Sequence, residues 1–289
     1  MTLRIWLLFL LFLLVAMTSI DAQEPAWLTL PPTPQLPKPE RSAFAKANNI
    51  ELWYATFGHT NPHHGPVILL HGGMANANYW GLQIPALAQD HEVIVVDSRG
   101  QGRSTWDGKA VSYHLMAFDV IALMDHLKIT KADIVGWSDG AIIGLDLAIH
   151  HPERLSGLFA FAANSDPSGT QDGSQSAAFQ AYLARTEAEY TKLAPTPTQW
   201  KNFMVQMNRM WRAEPQFTAA QLSTIRTPTW IVDGDHDEII RRDNTAFMAS
   251  HIPKAKLVFL KDGSHFAFLQ TPEAFNAELR RFLDEVTLP

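Results

Sequence analysis

The sequence predicts an α/β protein: a mostly parallel β-sheet of about eight strands, flanked by helices and carrying one helical insertion. Three observations lead there. From residue 42 onward, short runs rich in Val, Ile and Leu alternate with longer amphipathic runs, the pattern of parallel strands joined by helical crossovers. A β-branched run over residues 133–137 passes through Gly136-x-Ser138-x-Gly140 directly into an apolar run over 141–150, so strand meets helix with no loop between. Residues 164–224 break the alternation, since they contain no strand-like run and read as two or more helices.

Each element follows from local chemistry. Residues 42–46 and 50–57 flank Asn48-Asn49, a hairpin signal. Residues 67–70 form a short apolar strand ending in His71-Gly72-Gly73, and residues 79–88 read as a helix. The strand over 92–96 ends in Asp97-Ser98-Arg99-Gly100. Met116, Val120, Leu123, Met124 and Leu127 fall on one face of a helix over 113–127. The helix over 141–150 stops at Pro152, which cannot donate the next backbone bond. A strand over 158–162 precedes the insertion. Beyond it come a strand over 229–233, a helix over 245–251, a strand over 256–260 and a helix over 274–286.

Ahead of this domain lie two segments of different character. Arg4 precedes an unbroken apolar run of 13 residues, followed by Thr18-Ser19-Ile20-Asp21-Ala22. Residues 1–22 therefore resemble a secretory signal peptide, with Ala22 the last residue before cleavage. As a helix the run spans about 20 Å, short of a bilayer core of about 30 Å. Export to the periplasm or medium is expected, without stable membrane insertion after cleavage; an uncleaved leader acting as an anchor is the alternative. Residues 23–41 hold six prolines and read as an extended linker with no core of its own, leaving 42–289 as the folded domain.

Composition narrows the function. A net charge of −6 with no basic run gives no electrostatic footprint for nucleic acid, and losing the leader removes Arg4 and Asp21 together, so the balance holds. The chain has no cysteine, which excludes disulfides and thiol catalysis. His59-Thr60-Asn61-Pro62-His63 has the spacing of a histidine metal pair, but it lacks the glutamate of the zinc-protease motif, and Pro62 with Gly58 and Gly65 marks a loop. Asp233, Asp235 and Asp237 alternate like a calcium loop, yet Glu238 and Asn244 stand where that loop needs Gly and Glu. No metal and no cofactor are expected.

The sharpest chemical signal is Ser138. A tight strand-to-helix turn needs almost no side chain at positions 136 and 140, and it holds the hydroxyl above the sheet edge, where the helix N-terminus directs free N–H groups. The pentapeptide Gly136-Trp137-Ser138-Asp139-Gly140 resembles those of valacyclovirase-like and enol-lactonase-like esterases, and four segments in order resemble the α/β-hydrolase family over nearly all of residues 42–289. They are His71-Gly72-Gly73-Met74, Asp97 to Ser104, the Ser138 turn, and Gly234-Asp235-His236-Asp237 with Gly263-Ser264-His265. The resemblance implies a catalytic triad of Ser138, Asp237 and His265, each just after an expected strand, with Asp235 as the alternative acid. It assigns the oxyanion hole to the N–H groups of Gly73 and Asp139, with Met74 as a fallback for Gly73. It gives His71 and the arginines Arg99 and Arg103 a bracing role. Asp139 departs from the commoner apolar residue: its carboxylate either repels anionic acyl groups or points into solvent.

In the insertion, Trp200, Phe203, Met204, Met207 and Trp211 recur at helical spacing. They either pack onto the main domain or, with Met74 and Trp137, form an apolar wall of a substrate pocket. The expected activity is hydrolysis of a partly apolar carboxylic ester or lactone through an acyl-enzyme, falling on the acid side with an apparent pKa of about 6–7. Perhydrolase, amide and carbon–carbon bond chemistries share the same residues, and a non-catalytic ligand-binding protein of this fold is the alternative from another class.

Overall fold

The computed structural model describes residues 24–61 and 64–287; the signal-peptide segment and His63 lie outside them. In chain order the elements are β1 (Arg41–Ala47), β2 (Ile50–Phe57), β3 (Val67–Leu70), α1 (Ile84–Leu87), β4 (Val93–Val96), α2 (Tyr113–Leu127), β5 (Ala132–Trp137), α3 (Asp139–His150) and β6 (Leu155–Phe161). The insertion carries α4 (Ala177–Leu193), α5 (Trp200–Ala213) and α6 (Ala219–Leu222). Then come β7 (Thr229–Gly234), α7 (Arg242–His251), β8 (Lys256–Leu260), α8 (Ala267–Gln270) and α9 (Pro272–Thr287).

The strands form one sheet in the order β1-β2-β4-β3-β5-β6-β7-β8. β1 pairs β2, and β2 pairs β4, antiparallel; every other pairing is parallel. Parallel strands buried on both faces have no polar side to present, which is why β3 and β4 read as unbroken apolar runs. Their alternate residues divide between two cores. Ile68, Leu70, Ile94, Val96 and Ile134 pack beneath α2 and α3, while Val67, Leu69, Val93, Val95 and Val135 pack beneath α9 with Phe275, Leu279 and Phe282.

Where local signals were strong, boundaries follow them. α2 spans the expected residues because Ser112 caps its start, accepting from the N–H of Leu115 at 3.1 Å, and Lys128 ends it in the left-handed region. The helix expected over 79–88 is instead a 3₁₀ turn over Ala77–Leu82 followed by α1. Pro85 removes the backbone donor that a continuous helix would need there. Gly81 lies so close to residues 34 and 35 that a Cβ would come within 2.6 Å of the Gln35 carbonyl oxygen.

The proline-rich segment is the larger correction. Residues 24–40 have little regular structure, as their prolines dictate, but they lie on the domain. Leu30 and Leu36 pack against the second core, and Trp27 stacks on His236 with ring centroids 4.0 Å apart. Arg185 of α4 donates to the Pro31 carbonyl at 2.8 Å, and Gln270 donates to the Thr29 carbonyl at 2.8 Å. Composition reported the missing secondary structure but could not report this docking, which depends on residues more than 150 positions away.

One buried group has a measurable cost. Asp133 in β5 is buried, and its Oδ1 has no hydrogen-bond partner among the described residues. Burial pushes its pKa up to about 7. An acid held more tightly protonated when folded favours folding at low pH, and that advantage is lost as pH rises from about 4 through 7. We expect Asp133→Asn to reduce the loss of stability between pH 5 and pH 8 by about 2–3 kcal/mol, measured by urea unfolding at both pH values. Identical pH dependence in the two proteins would refute this.

Candidate active site

The sheet order places the chain's direction change between β3 and β5: from β3 the chain moves outward to β4, then returns to the other side of β3. In parallel sheets, sites form at the carboxyl ends of strands flanking such a point. Leu70 is paired with Gly136, so His71-Gly72-Gly73 and Ser138 leave adjacent strands side by side.

Ser138 sits at φ 53°, ψ −118°, a conformation few non-glycine residues adopt, held by the packing around it. A Cβ on Gly136 would lie 2.3 Å from the Gly140 oxygen, so the turn closes only with glycine there. His265 follows β8, and its Nδ1 lies 2.8 Å from Asp237 Oδ2 at the end of β7. The other Asp237 oxygen accepts from the N–H groups of Ile239 and Ile240, each at 2.7 Å. Asp235, the alternative acid, faces elsewhere and accepts from the Gly263 N–H at 3.3 Å.

The electrostatics of this pair are opposed and resolved. Burial alone would push Asp237 up, but the charge and hydrogen bond of His265 outweigh it and hold the carboxyl below its ordinary value. Burial alone would lower His265, and Asp237 reverses that, holding the imidazole above its ordinary value. Behind Asp237 lies Asp233, raised well above the carboxylate range by burial and by the charge of Asp237. Its oxygens accept from Thr245 Oγ1 at 2.6 Å and from the Gly234 N–H at 2.9 Å.

The loop after β3 is fixed by His71. Its Nε2 accepts from the Ser98 N–H at 2.9 Å, which leaves the proton on Nδ1 to donate to the Gly72 carbonyl at 2.8 Å. The Ala75 N–H donates to the same carbonyl at 3.1 Å. That carbonyl belongs to the peptide whose N–H is Gly73's, so His71 sets the direction of this donor. The N–H of Met74, the fallback, donates instead to Gln101 Oε1. The arginines brace the adjoining turn. Arg99, fully buried, donates to both Asp119 oxygens at 2.6 and 2.8 Å, and Arg103 donates to Asp97 at 2.9 Å.

Ser138 and His265 line one cavity of about 230 Å³, whose walls include Gly73, Met74, Trp137, Asp139 and Trp211. Trp137 also donates from Nε1 to the His265 carbonyl at 2.9 Å. Three pocket expectations are corrected: Trp200, Met204 and Met207 are not among its walls. Trp200 and Met204 pack against the first core, to which Met207 belongs. α5 approaches the cavity with its C-terminal end, and Trp200 lies about 16 Å along the helix from Trp211. Helical spacing identifies the apolar face but not which end reaches a site.

For Asp139 the solvent-facing alternative is corrected. Its side chain is buried rather than solvated, and it accepts from Tyr113 Oη at 2.7 Å and from Trp211 Nε1 at 3.0 Å. Burial pushes its pKa up to about 6, against the pull of those two donors. It therefore ties the turn after Ser138 to α5. Two further contributors carried no sequence signal. Tyr182 of α4 donates its hydroxyl to the Gly73 carbonyl, and Glu238 accepts from the His265 N–H at 3.0 Å. Both contacts depend on tertiary placement alone.

The family model described as "Alpha/beta hydrolase family" matches residues 67–278. The chain belongs to the alpha/beta hydrolase family. It is a hydrolase, and its relatives are named for such activities. A putative carbamate hydrolase RutD of Azorhizobium caulinodans is 27% identical over 266 residues, covering 84% of this chain and 98% of the relative. The 3-oxoadipate enol-lactonase 2 of Acinetobacter baylyi is 28% identical over 264 residues, covering 82% and 96%. The solved structure of Est816, described as an N-acyl homoserine lactone degrading enzyme, matches with a TM-score of 0.70 at 26% identity, covering 83% of this chain and all of that one. Within this alpha/beta hydrolase, the segment between β6 and β7 supplies Tyr182 of α4 and Trp211 of α5 to the cavity.

Proposed function

We propose that the chain is a serine hydrolase that cleaves a carboxylic ester or lactone through an acyl-enzyme, with Ser138 as nucleophile, His265 as base and Asp237 as its orienting acid. The observation that carries this is the 2.8 Å contact between Asp237 and His265 Nδ1, at a cavity that Ser138 enters from a strained turn. An acceptor on Nδ1 keeps the proton there and leaves Nε2 free to act as base. His265 takes the proton from Ser138 Oγ, which attacks the carbonyl carbon, and the oxyanion is met by the N–H groups of Gly73 and Asp139. His265 returns the proton to the leaving oxygen; in a lactone that hydroxyl stays attached to the acyl chain. Water, deprotonated by His265, then attacks the acyl carbon, releasing the carboxylic acid and Ser138.

Lactones and neutral esters suit the cavity because Tyr182, Trp137, Trp211 and Met74 make it largely apolar, while the ionised Asp139 carboxylate disfavours an anionic acyl group near neutral pH. The names of the relatives support the lactone end of this class. Labelling with a fluorophosphonate probe tests the nucleophile, and rates on short and long p-nitrophenyl esters beside lactones test the substrate class. We expect stoichiometric labelling of the wild-type chain and none of Ser138→Ala. A wild-type chain that stays unlabelled, or equal labelling of both, would overturn the assignment.

A further inference from the structure

Outside the cavity, α2 and α3 bring together three side chains that the reaction does not use. His114 on α2 faces Asp146 and His150 on α3, with His114 Nδ1 2.9 Å from Asp146 Oδ1 and His150 Nε2 3.9 Å from Asp146 Oδ2. One donor atom from each residue lies within 4.8 Å of the others. The two imidazoles are half-exposed and meet edge to face, with centroids 4.9 Å apart, while the carboxylate beneath them is buried. They open onto a surface hollow of about 370 Å³, also lined by Glu214 and Gln216, with room for water.

We propose that these residues form a zinc site joining α2 to α3. Two imidazole nitrogens and one carboxylate oxygen are a borderline donor set that suits Zn²⁺ and offers too few oxygens for Ca²⁺ or Mg²⁺. Zinc bonds of about 2.0–2.2 Å place tetrahedral donors roughly 3.3 Å apart; His114 stands 2.9 Å from Asp146 Oδ1 and His150 3.9 Å from Asp146 Oδ2, so one oxygen serves both once the imidazoles turn. Only the exposed imidazoles need to turn, because Asp146 is fixed one helical turn from His150. Water from the hollow completes the fourth position. Asp146 and His150 stand four residues apart on α3, but His114 joins them only by helix packing, so the expectation of no metal, which weighed two other local patterns, differs from this proposal.

The site also lies close to the candidate active site along both helices. Tyr113 precedes His114 and donates to Asp139, and α3 begins at Asp139. The metal would therefore clamp the two helices whose first residues form that bond.

Isothermal titration of Zn²⁺ into the metal-stripped full chain tests the proposal, with Co²⁺ visible absorption reporting the ligand geometry. We expect one site tighter than about 100 µM and a tetrahedral Co²⁺ spectrum. His114→Gln and His150→Gln, both changes at solvent-facing side chains, should each weaken binding at least about tenfold. Without metal, both variants should unfold at the wild-type temperature; with Zn²⁺, only the wild type should gain stability. No saturable binding, or affinity unchanged in both variants, would overturn the site. These readouts involve neither Ser138 nor hydrolysis, so they stand apart from the proposed activity.

Discussion

Asp237→Asn is expected to lower kcat by about four orders of magnitude with little change in KM, because the amide keeps the shape of the acid and removes its charge and its acceptor role. In the wild type, both Asp237 oxygens are occupied, one by His265 and the other by the N–H groups of Ile239 and Ile240. The oxygen held by the two backbone donors must remain an oxygen, which turns the new NH₂ toward His265 Nδ1. That nitrogen then accepts, the ring proton moves to Nε2, and the base proposed for Ser138 is left in the wrong tautomer. Substrate binding does not use this contact, so KM is spared.

A second readout separates this account from simple loss of structure. Asp237 holds the His265 pKa above its ordinary value against a burial effect of opposite sign. The base works only when neutral, so wild-type kcat/KM falls as pH drops through that raised pKa. With that charge gone, only Glu238 and Asp139 oppose burial, and the acid limb of the residual activity should move to lower pH. Equal limbs in the two proteins, or a loss under tenfold in kcat, would remove Asp237 from the orienting role. Asp235→Asn is the matched control, since that side chain contacts Gly263 and His236 instead.

The sequence carried the frame of this site for a physical reason. Ser138, Asp237 and His265 follow strands, and strands buried on both faces are legible as apolar runs. In a parallel sheet those strand ends share one edge, where Asp237 bonds His265 and His265 lines one cavity with Ser138. Gly136, Gly140 and Pro152 were legible because they answer constraints set by the adjacent residues. What could not be read depends on packing between distant elements. Asp139 was expected to repel anionic acyl groups or face solvent; the solvent alternative fails because Tyr113 and Trp211, from two other helices, bond its buried carboxylate. The reach of α5 into the cavity depends on the direction of its axis, which periodicity does not encode. Residues 24–40 look unfolded by composition, yet α4 and α8 supply their partners.

Gly140→Ala is the second substitution with a large expected effect, and it acts through a single methyl group. A Cβ at Gly140 would stand 2.1 Å from the Leu70 oxygen, 2.5 Å from the Leu70 carbonyl carbon and 2.8 Å from the His71 oxygen. All three are backbone atoms of β3 and the turn that follows it, so no rotamer change relieves the collision. α3 must lift away from the sheet, taking Ser138 and the Asp139 N–H with it, while the Gly73 donor stays with β3. A displacement of about 1 Å between nucleophile and oxyanion donors costs on the order of a hundredfold in rate. The overpacking itself costs about 1–3 kcal/mol or more. Gly144, one turn further along the same helix, provides the contrast. There a Cβ would meet Leu158 Cδ1 at 2.5 Å, the far end of a side chain that can rotate, and alanine recovers up to about 1 kcal/mol of helix propensity. We therefore expect Gly140→Ala to lose both activity and thermal stability, and Gly144→Ala to stay near wild type in both. If the two variants behave alike in kcat and melting temperature, the contact between α3 and β3 does not hold the nucleophile in place.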